Sequence, residues 1–274
     1  MKNFYIVVNE DKENAGALGK RIQDALTKRG CSARLSDRIP EDGVPDGTEC
    51  IVTLGGDGTL IRAARSLDGK RIPLVGINLG GLGYLTQVGR GGNVEELLDA
   101  LCENRFEVQD RMMLKGTVYK NGKKAAESAA LNDIVVSREG RLRILKLRIY
   151  VDDRFLNEYS ADGMIVSTPT GSTAYNLSAG GPIAQPDGQL MILTPVCPHT
   201  LTSRTIVFGP ESRIRIEIPE TADGGQTAAF DGDLVVKLSG GDYLEITRAE
   251  TAVRVLRLDN RSFLDILKDK MYEA

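Results

Sequence analysis

The chain has 274 residues, 41% hydrophobic and 27% charged, with 35 Lys and Arg against 38 Asp and Glu for a formal net charge of −3. This is the composition of a globular protein of about two domains; it excludes a strongly basic nucleic-acid footprint, and with no Trp and 5% aromatics it leaves little for base stacking. The four cysteines, Cys31, Cys50, Cys102 and Cys197, form no CxxC pair, which argues against a disulfide framework or zinc finger and for a reducing compartment.

Phe4–Val8 is the first apolar run, ended by Asn9, Glu10 and Asp11. It is too short for the apolar region of a secretory signal and reads as a buried strand of a cytoplasmic protein. No later run approaches the ~18 apolar residues of a membrane helix. Leu18, Ile22, Ala25 and Leu26 recur at helical spacing, and Gly30 supplies a stop. Cys50–Leu54 is a second strand; it runs into Gly55, Gly56, Asp57, Gly58 and Thr59, and a short helix is predicted from Leu60 to about Leu67. Leu74–Ile77 is a third strand, followed by Gly80, Gly81, Leu82 and Gly83. Val94, Leu97, Leu98 and Leu101 then mark one face of an amphipathic helix. Alternating strands and helices predict a parallel sheet covered by helices.

After about Phe106 the period becomes two. Leu145, Leu147, Ile149 and Val151 alternate with Lys146, Arg148 and Tyr150, and Ile214, Ile216 and Ile218 alternate with Arg213, Arg215 and Glu217. Asn121-Gly122 and Asp231-Gly232 are hairpin turn signals. These patterns predict antiparallel strands with one wet face. Ser262–Met271 reads as a final helix, capped by Ser262 with Asp265. The expected domains are an α/β domain over residues 1–105, joined by a returning helix at about 258–274, and a mostly antiparallel β domain over residues 106–257.

Two loops carry the chemistry. Gly55–Thr59 (GGDGT) ends a parallel strand and opens a helix, where free N–H groups and the positive end of the helix dipole suit a phosphate. Glycine lets a backbone approach an anion closely. Arg62, one turn on, adds a positive charge. A carboxylate repels phosphate, so Asp57 makes sense facing an acceptor hydroxyl or holding Mg²⁺; a tight turn alone would be served poorly by it. The loop is neither a Walker A sequence nor G-x-G-x-x-G, so a dehydrogenase loses its main support. The second loop runs from Ser167 to Pro182 (STPTGSTAYNLSAGGP) after the apolar strand Met164–Val166. Its hydroxyls and glycines can bond a polar ligand through side chains and backbone; an N-cap cluster is the other reading.

GGDGT at Gly55–Thr59, GINLGGLGYLT at Gly76–Thr86, LND at Leu131–Asp133, DG at Asp162–Gly163, the Ser167–Pro182 loop, CPHTLTSR at Cys197–Arg204 and DGD at Asp231–Asp233 together resemble NAD kinases, in one order over nearly the whole chain. The resemblance implies a Rossmann-like parallel α/β domain followed by a β-sandwich-type domain. It implies transfer of the terminal phosphoryl group of ATP, or of polyphosphate, to the adenosine ribose 2′-hydroxyl of NAD, giving NADP. It further implies a divalent metal, usually Mg²⁺, and a homodimer or homotetramer with sites near subunit interfaces, without nucleic-acid or membrane partners.

The resemblance also implies residue roles. Asp57 is the proton acceptor for the hydroxyl. Gly55, Gly56, Gly58, Thr59 and Arg62 hold donor phosphates. Asn132 and Asp133 grip the adenosine moiety, unless they only form an Asx turn. Asp162 meets the nicotinamide amide, and Thr173, Ala174, Tyr175, Asn176, Leu177 and Ser178 line the dinucleotide. Tyr84 belongs near the adenine, or is a core aromatic. Arg143 falls at a substrate-contact position within a charged run that also reads as a solvated strand face. Asp233 stands where many members have Gln and Ser160 where Arg or Gly is common, which leaves the cofactor preference open. His199, the only histidine, has no paired ligand, so no metal site is assigned to it and a structural or subunit-contact role fits better. A lipid or sugar kinase sharing GGDGT and a non-catalytic dinucleotide-binding module are the alternatives; the absence of a basic amphipathic helix argues against the first and the presence of Asp57 against the second.

Overall fold

A computed structural model describes the chain except residues 81, 82, 87, 89–92, 141–143, 201, 223, 224, 259, 260, 273, 274 and the side chain of residue 272. It comprises two compact units, Met1–Asp110 with Thr251–Ala274, and Arg111–Glu250. Among the described residues, no helix is long and apolar enough to cross a membrane.

The first unit begins β1 (Asn3–Val8), α1 (Ala15–Lys28), β2 (Ser32–Ser36), β3 (Cys50–Gly55), α2 (Asp57–Arg65), β4 (Leu74–Asn78), α3 (Val94–Cys102) and β5 (Glu107–Arg111). β2, β1, β3 and β4 pair in parallel in that order. Phe4–Val8 and all of β3 and β4 are buried, as strands covered on both faces must be. Helix α1 buries Ala15, Gly19, Ile22 and Leu26. It comes so close to the sheet that a Cβ on Gly19 would lie 2.8 Å from Leu35 and 2.9 Å from Val8. Helix α3 starts on Asn93, whose side chain accepts from the Glu96 N–H, with Glu95 and Glu96 on the positive end of the dipole. Helix α2 starts three residues before the predicted Leu60. The first turn needs no intrahelical acceptor for its N–H groups, so the poor helix former Gly58 is tolerated there, and Asp57 suits the dipole.

The second unit contains β6 (Leu114–Lys120), β7 (Lys123–Ala130), β8 (Asp133–Arg138), β9 (Leu145–Val151), β10 (Arg154–Ala161) and β11 (Gly163–Ser167), a 3₁₀ turn (Thr170–Thr173) and α4 (Tyr175–Ser178). The strands β12 (Met191–Val196), β13 (Ile206–Phe208), β14 (Ile214–Glu217), β15 (Gln226–Phe230), β16 (Leu234–Leu238) and β17 (Tyr243–Arg248) complete it. They form two antiparallel sheets, β10-β9-β14-β17-β6-β7 and β13-β12-β11-β8-β15-β16. Leu147 and Ile149, Ile216, Leu244 and Ile246 of the first sheet share one buried core with Ile134, Val136, Met164, Val166, Leu193 and Phe230 of the second. This is a β-sandwich built from the period-two pattern. Asn121-Gly122 and Asp231-Gly232 have φ of 50°, 73°, 51° and 70°, both residues of each pair left-handed; the first pair joins Lys120 to Lys123 in a two-residue hairpin, and the second opens the three-residue connection between Phe230 and Leu234. Asp152-Asp153 makes a third such turn, with φ of 50° and 64°, which dipeptide signals missed because neither residue is glycine.

The chain then returns to the first unit as β18 (Val253–Arg257) and α5 (Phe263–Tyr272). β18 pairs in parallel with β4 and lies between β4 and β5. The cap of α5 forms as predicted: the Ser262 N–H and hydroxyl both donate to Asp265 at 2.7 Å, and the Asp265 N–H donates back to the hydroxyl at 3.2 Å.

Candidate active site

In the first unit, β3 delivers Gly55 and Gly56 directly to the start of α2. Gly56 is extended, and a Cβ on Gly56 or Gly58 would meet nothing within 4 Å among the described residues, so these leave the backbone at the helix start open. A Cβ on Gly55 would lie 2.2 Å from the Thr59 hydroxyl oxygen, so this glycine is required by packing. Thr59 is buried beneath it, and among the described residues its hydroxyl has no hydrogen-bond partner. Arg62 is exposed one turn further on.

Asp57 is half-buried, and its carboxylate organises the glycine-rich segment after β4. Oδ2 accepts from the Tyr84 N–H at 2.8 Å and Oδ1 from the Leu85 N–H at 3.3 Å. A Cβ on Gly83 would sit 2.0 Å from Asp57 Oδ1, so only glycine lets the two approach. Asn78 and Thr86 fix the ends of this segment. The Asn78 amide donates to Thr86 Oγ1 at 3.2 Å and its oxygen accepts from Gly80 N–H at 2.8 Å. Thr86 Oγ1 also accepts from Gly83 N–H at 3.1 Å. Burial, with the Asp57 charge beside it, pushes the Tyr84 hydroxyl above its ordinary pKa.

In the second unit, three chain-distant segments meet at one end of β8 and β11. Asp231, in the left-handed conformation, accepts from the N–H groups of Leu131 (2.8 Å), Asn132 (2.8 Å) and Asp133 (3.1 Å). Thr168 donates its hydroxyl to Leu131 O at 2.6 Å and its N–H to Asn132 O at 2.8 Å. A Cβ on Gly171 would be 2.1 Å from Asn132 O, so glycine is again obligatory. Burial, and then the Asp231 charge, push the Asp133 carboxyl up to about 7, so near neutral pH it is a half-protonated, buried acid.

The Thr170–Ser178 segment separates into two kinds of residue. Asn176 is fully buried, with its amide donating to Ser172 O and Pro182 O at 3.0 Å each and accepting from the Thr194 hydroxyl at 2.7 Å. Both of its donors are thus used inside the loop. Tyr175 and Leu177 point outward, 45% and 41% exposed; Ser178 is also exposed, and Thr173 and Ala174 are intermediate. Asp233 is exposed in the turn beside Asp231.

Asp162 and Ser160 stand at the other end of β8 and β11. Arg138, five steps from Asp133 along β8 and so about 17 Å away at the strand rise, donates to Asp162 at 3.1 Å. The Ser160 carbonyl accepts the N–H of His199 at 2.8 Å, tying the Cys197–Arg204 segment to β10. Arg143 lies outside the described residues.

Sequence reasoning assigned no role to Asn78, Thr86, Arg138, Thr168 or Asp231. All but Arg138 lie within the quoted motifs, and Asp231 is also the first residue of a hairpin turn signal. Among the described residues, no three His, Cys, Asp or Glu side chains cluster as a metal site.

Comparison with known proteins identifies the family. Residues 8–106 match the family model for the ATP-NAD kinase N-terminal domain and residues 131–258 that for the ATP-NAD kinase C-terminal domain. An NAD kinase from Lachnospira eligens is 41% identical over 294 aligned positions, covering 99% of this chain and all of the relative. The structure is similar to that of an NAD kinase from Archaeoglobus fulgidus in complex with ATP (TM-score 0.81, 25% identity, 100% of both chains). Its fold is also that of yeast NADH kinase complexed with NADH (TM-score 0.84, 24% identity, 98% of this chain and 86% of that one). The chain therefore belongs to the NAD kinase family of phosphotransferases.

Proposed function

We infer that this chain phosphorylates NAD on the 2′-hydroxyl of its adenosine ribose, with ATP as donor, to give NADP and ADP. The observation that carries this reading is Asp57 at the head of α2, beside two glycines that leave the backbone there open. The N–H groups of the helix start, with Gly55, Gly56, Gly58, Thr59 and Arg62, hold donor phosphates. Asp57 orients the acceptor hydroxyl and takes its proton as the new P–O bond forms and the bond to ADP breaks. Each carboxylate oxygen has two acceptor positions, so the bonds to Tyr84 and Leu85 leave one on each oxygen for this work. Phosphoryl transfer is loose and needs little deprotonation early, so placement counts for more than basicity.

Asn132 and Asp133 grip the adenosine moiety, and Tyr84 lies near the adenine. Thr173, Ala174, Tyr175, Leu177 and Ser178 line the dinucleotide, while Asn176 acts by holding their loop. Ser160 and Asp162 serve the nicotinamide half, Asp233, beside Asp231 at the other end of β8, contacts the dinucleotide there, and Arg143 contacts substrate. The two ends of β8 are too far apart to touch one small group. They serve opposite ends of an extended dinucleotide or, in a homodimer or homotetramer, the sites of neighbouring copies.

Mg²⁺ is typically held by one or two carboxylates together with substrate phosphates and needs no cage of protein ligands. Asp57 with the donor phosphates fits that requirement, and the ion would there offset charge on the transferring group. Polyphosphate is the alternative donor. The free cysteines support a cytoplasmic location.

The test is NADP formation by purified protein with NAD, ATP and Mg²⁺, read through an NADP-specific dehydrogenase. Parallel reactions replace ATP with polyphosphate and NAD with NADH. Signal with NAD and ATP is expected; silence in every combination from folded protein refutes the reading.

A further inference from the structure

The Asp231 carboxylate accepts three consecutive backbone N–H groups from a segment about 100 residues earlier in the chain. Oδ1 takes Asn132 and Asp133, Oδ2 takes Leu131, and the Asp231 N–H donates back to Asp133 O at 3.0 Å. A hairpin turn needs none of this: its geometry is satisfied by the left-handed backbone at Asp231 and Gly232 alone. The arrangement has a cost as well, because it holds one carboxylate against a second, buried one. A charged clamp kept in a place where a neutral turn residue would serve the fold has its consequence in the segment that it holds.

We propose that Asp231 is a positioning residue for NAD, fixing the Leu131–Asp133 backbone so that Asn132 and Asp133 meet the adenosine moiety in one orientation. The proposal rests on the assignment of Asn132 and Asp133 to that moiety. It adds a residue that itself need touch no ligand. The rest of the surroundings supports the same view: Thr168 holds the carbonyls of Leu131 and Asn132, so Asp231 and Thr168 restrain the segment from its donor and acceptor sides respectively. Asp231 also supplies a charge that favours the protonated Asp133. Among the described residues, the strand neighbours of Asp133 are uncharged, Ser167 across the sheet on β11 and Phe230 one step on along β15, and the turn carries one more carboxylate, the exposed Asp233.

Asp231→Asn isolates the clamp, since Asn-Gly is the strongest sequence for this turn and accepts the left-handed backbone. Asn has one acceptor oxygen, so at least one of the three N–H groups then faces an amide NH₂. The KM for NAD should rise about tenfold, the scale of an ångström-level misplacement or less, with the KM for ATP nearly unchanged. Amide hydrogen exchange over 131–133 should accelerate. The pH dependence of kcat/KM for NAD should move to lower pH, because Asp133 loses a neighbour that favoured its protonated form; a purely structural defect would lower the rate equally at all pH. Unchanged KM, exchange and pH profile in a folded Asp231→Asn protein would overturn the proposal. Asn132→Ala separates the two levels: if it leaves the KM for NAD unchanged, the adenosine assignment has failed, whatever Asp231 does.

Discussion

Gly83→Ala should disable the enzyme without removing any functional group. A Cβ built on Gly83 lies 2.0 Å from Asp57 Oδ1, 2.5 Å from Cγ and 2.6 Å from Oδ2, all closer than real methyl contacts. The carboxylate must therefore retreat by about an ångström, from its contacts with the Tyr84 and Leu85 N–H groups. Two charge-assisted hydrogen bonds are worth about 1.5–3 kcal/mol each when fully buried; water replaces part of this at a half-buried site, so a local cost of about 2 kcal/mol follows. An ångström of misplacement at a reacting group can reduce turnover by about 10²-fold. The assay is coupled NADP formation, with the thermal unfolding midpoint measured in parallel. The expected result is kcat lower by about two orders of magnitude, with unfolding shifted by only a few degrees. A kcat near that of the wild-type protein would show that the position of Asp57 is not what sets the rate.

Asp57→Asn should lower turnover by about 10²–10⁴-fold, the usual contribution of a positioned acid or base, with NAD binding by calorimetry largely retained; turnover near that of the wild type would remove the role. Asn176→Ala removes the hydrogen bonds to Ser172 O and Pro182 O and leaves the Thr194 hydroxyl only the bond it accepts from Thr205, and should destabilise the second unit by about 2–4 kcal/mol in denaturant titrations; a loss below about 0.5 kcal/mol would contradict the buried network. Asp133→Asn should stabilise the fold while weakening NAD binding. The folded carboxyl titrates at about 7, above its ordinary value near 4, so the folded state holds the extra proton between these pH values and wild-type stability from this group falls as pH rises through that window. The mutant's advantage in unfolding temperature should therefore be larger at pH 8 than at pH 5, and an equal difference at both would refute the sign. Among the thiols, exposed Cys197 should alkylate first and Cys50 last, since Cys50 is buried with its pKa pushed well up and burial with a hydrogen bond to Cys31 pushes Cys102 up to about 11. Native-state mass spectrometry after brief iodoacetamide treatment gives the order, and early labelling of Cys50 would contradict it.

Local patterns in the chain determined the two kinds of sheet. Continuous apolar runs at Phe4–Val8 and Cys50–Leu54 can be buried only between two layers, and the alternation at Leu145–Val151 can satisfy only a strand with one wet face. Turn chemistry is equally local, because Asn-Gly and Asp-Gly tolerate positive φ by their own covalent structure. GGDGT was legible for a similar reason: a strand end, glycines and a helix start are neighbours in the sequence before they are neighbours in space. Tertiary structure alone decided that β18 enters the first sheet between β4 and β5, since nothing in Val253–Arg257 names its partner strands. It alone joined Asp57 to Tyr84, Asp231 to Leu131–Asp133 and Arg138 to Asp162. It also turned Asn176 inward, between exposed Tyr175 and Leu177, because the Thr194 hydroxyl and two carbonyls lay where that amide could reach them. Hydrophobic period is a property of each segment by itself; a hydrogen bond across 27 or 100 residues has no period, and it exists only once the packing of the core has fixed which backbone groups stand within 3 Å of which carboxylate.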